Sequence, residues 1–66
     1  MKNSIKIERA VKGITQEDLA KIIGVSRQTI NAMEAGKYVP STILALKIAR
    51  YFGKKAEEIF ELESGD

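Results

Sequence analysis

Neither cysteine nor histidine occurs among the 66 residues. Without cysteine, disulfides, thiol redox chemistry and cysteine-type zinc sites are excluded. Without either residue, the chain also lacks the usual nucleophiles, neutral-pH bases and metal ligands. The carboxylates do not replace them. Glu17/Asp18 and Glu57/Glu58 are adjacent pairs, and neighbours on a helix diverge by about 100° instead of converging on one site. No glycine-rich phosphate loop is present. An enzyme is therefore disfavoured, and no cofactor, metal or small-molecule ligand is expected. Apolar runs are short as well. None nears the roughly 20 residues that span a bilayer, and no signal-peptide pattern opens the chain. A cytoplasmic protein with no membrane partner is the resulting expectation.

What is present describes an ordinary globular chain, 44% apolar and 30% charged. Its length predicts a single domain over residues 1–66, small enough to bury only about 60% of its unfolded surface. Charge is divided unevenly along it. Residues 1–55 carry all eleven lysines and arginines against four acids, a net +7, whereas residues 56–66 carry five acids and no base, a net −5. A basic body favours polyanions, and an acidic end would face away from them. The competing reading is a solvated tail behind a lysine-rich surface.

Helical punctuation is frequent. Ser4 to Lys12 reads as a first helix with Ile7, Ala10 and Val11 inward and Gly13 as its stop. Thr15 begins a capping box with Asp18 and opens a second helix to about Ile23. Leu19, Ala20, Ile22 and Ile23 form its apolar face. Gly24 supplies a turn that needs positive φ, and Ser26 caps a third helix from about Arg27 to Ala35, ended by Gly36. The single proline, Pro40, holds Lys37 to Pro40 as a loop. Ser41 caps a fourth helix carrying Leu44, Ile48, Tyr51 and Phe52 at helical spacing, and Gly53 stops it. Ala56 to Phe60 reads as a short fifth helix. The alternation F-E-L-E also allows Phe60 to Glu63 to extend as a strand against the N-terminus.

Residues 16–35 have the spacing of a helix-turn-helix. Ala20 is small where two helices would cross closely, and Ile30 and Met33 face inward three residues apart. A steep crossing leaves Arg27, Gln28, Thr29 and Asn31 pointing outward. Arg, Gln and Asn are the side chains that contact base edges bidentately in the major groove. Thr29 can meet a thymine methyl or a phosphate, or simply cover the helix. Gln16, in the first turn of the second helix, offers backbone N–H groups and an amide to a phosphate. Lys37 and Tyr38 follow the third helix and can hydrogen-bond phosphate oxygens, with the Tyr38 ring packed against the fourth helix. Each of these would otherwise be a plain exposed polar residue.

The segments ITQEDLA (Ile14 to Ala20), IIGVSRQTIN (Ile22 to Asn31), MEAGKYVPS (Met33 to Ser41) and LALKIARYF (Leu44 to Phe52) resemble the small Cro/C1-type helix-turn-helix repressors. The likeness is greatest to compact dimeric ones of cytolysin-repressor type, and it covers roughly Ile5 to Phe60. It implies an all-α, five-helix, lambda-repressor-like domain, with a short terminal β-ribbon if the tail extends. It further implies a repressor that binds double-stranded DNA at a palindromic operator as a homodimer. By the same resemblance Arg9 and Glu34 form a structural ion pair locking the third helix to the body. The alternative is an antitoxin-like or other protein-interaction module of a larger assembly. The outward residues of RQTIN, neither acidic nor apolar, favour DNA.

Apolar residues near the end of the chain supply a separate reason to expect a dimer. Phe52, Ile59, Phe60 and Leu62 cluster where a short chain cannot wrap them all, which places a dimerisation region at about residues 52–63. Phe52 is assigned to the monomer core, and Ile59, Phe60 and Leu62 to the interface.

Overall fold

Three hydroxyl side chains open three helices. In the computed structural model, which describes residues 1–66, Thr15, Ser26 and Ser41 lie in extended backbone. Each accepts a hydrogen bond from the N–H three residues on, opening α2 (Gln16–Ile23), α3 (Arg27–Glu34) and α4 (Thr42–Phe52). At Thr15 the bond is reciprocal: Asp18 N donates to Thr15 Oγ1 and Thr15 N to Asp18 Oδ2, both at 3.0 Å. A cap of this kind contributes about 1 kcal/mol. The two bonds from Thr15, backbone first, hold the Asp18 carboxyl below its ordinary pKa. Gly24 joins α2 to α3 at φ +90°, a conformation that side chains rarely adopt.

Two further helices complete the set, α1 (Ile5–Lys12) and the one-turn α5 (Ala56–Ile59), which packs on α4. The termini close the fold as a ribbon in which β1 (Lys2–Asn3) pairs antiparallel with β2 (Phe60–Glu61), Lys2 opposite Glu61 and Asn3 opposite Phe60. Ser4 N extends the pairing by donating to Ile59 O at 2.9 Å. The alternating tail does form a strand, though only over its first two residues. No helix is long and apolar enough to cross a membrane.

Ile5, Leu19, Ile30, Met33 and Ile48 are wholly buried, and Ala20, Ile23, Ala49, Phe52, Ile59 and Phe60 complete the core. Three expectations are corrected by it. On α1, Ile7 and Val11 are 65% and 77% exposed, and Ala10 is exposed too. The packed face carries Ile5, Glu8 and Arg9, because two ion pairs require it: Lys54 Nζ donates to Glu8 Oε2 at 2.7 Å and Arg9 Nε to Glu34 Oε2 at 2.6 Å. Helical geometry then turns Ile7 and Val11 outward. On α2, Ile22 is exposed while Leu19, Ala20 and Ile23 are buried. The neighbouring helices cover only a narrow stripe of α2, and Ile22 lies about 100° round from Ile23. Finally, Ile59 and Phe60 are not interface surface. The β1–β2 pairing folds the tail back on the body and takes both side chains into the chain's own core. Of the three proposed interface residues only Leu62 stays open, at 78% exposure.

Candidate nucleic-acid interface

The amphipathic pattern of α3 sorts its side chains into two sets. Ile30 and Met33 are buried, Arg27, Gln28 and Asn31 are exposed, and Thr29 and Ala32 are half-buried. The outward residues thus share one face of a helix anchored by the other. Neither Arg27 nor Lys37 takes part in any ion pair within the chain, so both charges are open to an external anion. Thr29 Oγ1 lies 2.9 Å from Ser26 Oγ, so its hydroxyl is already engaged at the cap and the methyl is its freer part.

A polar network holds α3 to the body. Arg9 grips Glu34 with two parallel bonds, Nε to Oε2 at 2.6 Å and Nη2 to Oε1 at 3.0 Å. Its third nitrogen, Nη1, donates to Ile14 O at 3.0 Å. The side chains are only 14% and 6% exposed, so the pair spans α1 and α3 largely away from water. Burial works to raise the Glu34 carboxyl pKa, but the hydrogen bonds from Arg9 and then Gln16 outweigh it and leave the group below its ordinary value. Arg9 is correspondingly raised, chiefly by its bond to Glu34. A buried pair of this kind fixes geometry more reliably than it adds stability.

Gln16 belongs to the same network. Its Nε2 donates to Glu34 Oε1 at 3.1 Å and to Asn31 Oδ1 at 3.3 Å. Both amide hydrogens are therefore spoken for, and with Asp18 N engaged at the cap the donors still free for a phosphate at this position are the backbone N–H groups of Gln16 and Glu17.

Sequence reasoning missed Asn3. Its Nδ2 donates to Met33 O at 2.7 Å while its Oδ1 accepts from Ile5 N at 3.2 Å. One side chain thus ties β1, the start of α1 and the end of α3 together. An Asn just before a helix was the only local hint, and it pointed to capping rather than to a residue thirty positions away. Beyond α3, Gly36 N donates to Met33 O and Lys37 N to Ala32 O, setting the direction in which the chain leaves the helix. Lys37 and Tyr38 are both exposed in this turn, and Tyr38 lies outside the set of residues packed on the core.

Comparison with known proteins matches this arrangement. A family model described as Helix-turn-helix covers residues 5–59. An uncharacterized HTH-type transcriptional regulator of Methanocaldococcus jannaschii is 59% identical over 66 residues, the full length of both chains. The uncharacterized HTH-type transcriptional regulator YgzD of Bacillus subtilis is 52% identical over 63 residues, 96% of each chain. One from Archaeoglobus fulgidus is 55% identical over 60 residues, 91% of this chain and 84% of the other.

Proposed function

The chain belongs to the Cro/C1-type helix-turn-helix family of DNA-binding transcriptional regulators, and from that premise we propose that it is a repressor. It would act in the cytoplasm by seating α3 in the major groove of a palindromic operator, one half-site for each subunit of a homodimer. The observation that carries this reading is the outward set on α3. Arg27, Gln28 and Asn31 are exposed together on a short helix whose opposite face is clamped by Met33, Ile30 and the Arg9–Glu34 pair. Arg27 and Gln28 supply base-edge contacts, and Thr29 offers its methyl to a thymine. The α2 N-terminus at Gln16, with Lys37 and Tyr38, holds phosphates on either side.

Dimerisation is supported by apolar surface that the chain does not cover itself. Ile43 and Leu46 are exposed on the first turns of α4 beside Ala56 of α5, and Val39 borders an adjoining hollow that shares Leu46 and Ala56. With Leu62, these residues replace Ile59 and Phe60 as the interface. Two-fold symmetry would bury the same patch on both subunits and set the two copies of α3 about 34 Å apart, one turn of DNA.

Phosphate binding makes the affinity steeply salt-dependent. Lys37→Ala is expected to weaken specific and random duplexes alike, and to reduce the slope of log K against log salt by about 0.9 for each phosphate that it no longer neutralises. The check is a fluorescence-anisotropy titration across a range of salt. A weakening confined to the preferred duplex would instead make Lys37 a reader of bases.

A further inference from the structure

The turn that leaves α3 is held at few points. Gly36 N donates to Met33 O at 3.0 Å and Lys37 N to Ala32 O at 2.9 Å, the pair of bonds that closes a helix at a left-handed glycine, here at φ +74°. Beyond Lys37 N, no backbone group of Tyr38, Val39 or Pro40 bonds within the chain. Tyr38 and Val39 are exposed as well, so packing does little to fix their path.

What borders this turn is β1. Asn3 Nδ2 donates to Met33 O at 2.7 Å, so that carbonyl takes one bond from the turn and one from the strand. A Cβ at Gly36 would lie 3.7 Å from Met1 O, and Met1 lines one hollow with Val39 and Pro40. The strand thus runs beside the turn from its start at Met33 to its exit at Pro40. Its own place is fixed by the pairing with β2 and by Ile5 N, which donates to Asn3 Oδ1 at 3.2 Å.

We propose that Asn3 is a positioning residue for phosphate binding: through Met33 O it holds the turn in the path from which Lys37 and Tyr38 meet the DNA backbone. The proposal rests on the DNA-binding role given above to α3 and the turn after it. A turn ordered beforehand loses less conformational freedom when it binds, so more of the phosphate contact appears as affinity.

The test is a double-mutant cycle read by fluorescence anisotropy on random duplex at one low salt concentration. Asn3→Ser keeps an oxygen for Ile5 N but is too short to reach Met33 O, and Asn3→Ala serves as a second variant lacking both bonds. Each is made in the parent and in Lys37→Ala/Tyr38→Phe. In the parent, Asn3→Ser is expected to weaken binding roughly fivefold, the ordering cost of about one side chain. In the chain without the two phosphate contacts it should weaken binding by less than about 1.5-fold, because the two changes act on one interaction. Asn3→Ala should show the same contrast between backgrounds. Partial unfolding would lower binding by a common factor in both, so the contrast isolates positioning from stability. Equal factors in the two backgrounds, or no loss from either Asn3 variant in the parent, overturn the proposal. If Lys37→Ala/Tyr38→Phe binds random duplex as tightly as the parent, the phosphate role of the turn itself fails and takes the proposal with it. That result is distinct from the other two.

Discussion

Replacing Glu34 with alanine is expected to lower the stability of the protein by about 3 kcal/mol, since it leaves the Arg9 charge unpaired in a largely buried position. A chain of 66 residues has roughly 3–10 kcal/mol in total, so the loss would take about a third of it or more. Arg9 keeps its bond to Ile14 O and some access to water, which sets the expected loss at the lower end for a broken buried pair. Urea unfolding followed by circular dichroism measures it. A loss below 1 kcal/mol would place the pair among ordinary solvated ion pairs. Replacing both partners, as in Arg9→Met/Glu34→Leu, should restore most of the stability, because no unpaired charge then remains.

The same carboxylate shapes the response to acid. Glu34 binds its proton less tightly in the folded chain than in the unfolded one. Its contribution is therefore complete well above the unfolded pKa of about 4.3, and is lost as pH falls through that value towards the lower folded one. No histidine adds a step nearer neutrality. Glu34→Ala should accordingly show a shallower acid limb than the parent.

Leu46→Lys is expected to reduce affinity for a full palindromic site by at least about 100-fold while hardly changing binding to a half-site. Joining two reading helices makes the second docking event intramolecular, which raises overall affinity by roughly 10²–10⁴. A lysine in the shared apolar patch would put two like charges against each other across the two-fold axis. Leu46 is exposed in the single chain, so the fold itself should tolerate the change. Sedimentation equilibrium should show the parent as a dimer and the variant as a monomer at micromolar concentration. A parent that stays monomeric both free and on DNA would remove the interface from Val39, Ile43, Leu46 and Leu62.

How much of the molecule can be read from its sequence depends on the range over which each feature is determined. Thr15, Ser26 and Ser41 cap helices through atoms three residues away, and Gly24 needs only its own backbone angle, so these features are visible in short segments. The inward pair Ile30 and Met33 follows from one helical period. The face of α1 did not, because sorting by hydrophobicity places Ile7 and Val11 inside, whereas the partners of Glu8 and Arg9 lie 46 and 25 residues further along. Asn3 was invisible for the same reason, its bond to Met33 spanning 30 positions. Gln16 was legible as polar and well placed, but the commitment of both its hydrogens emerges only once α2 and α3 are packed together. Ile59 and Phe60 were misplaced because the alternating tail does not reveal what it will pair with.

The most direct measurement is a binding titration of parent and Arg27→Ala/Gln28→Ala against the duplex selected by the parent and against random duplex, at one fixed salt concentration. Neither residue bonds within the chain through its side chain, so the double variant should fold as the parent does. Removing one base-edge partner costs roughly 1–3 kcal/mol, so binding to the selected duplex should fall by at least tenfold while binding to random duplex changes much less. Equal binding of parent and variant to the selected duplex would mean that α3 is not the element that reads DNA.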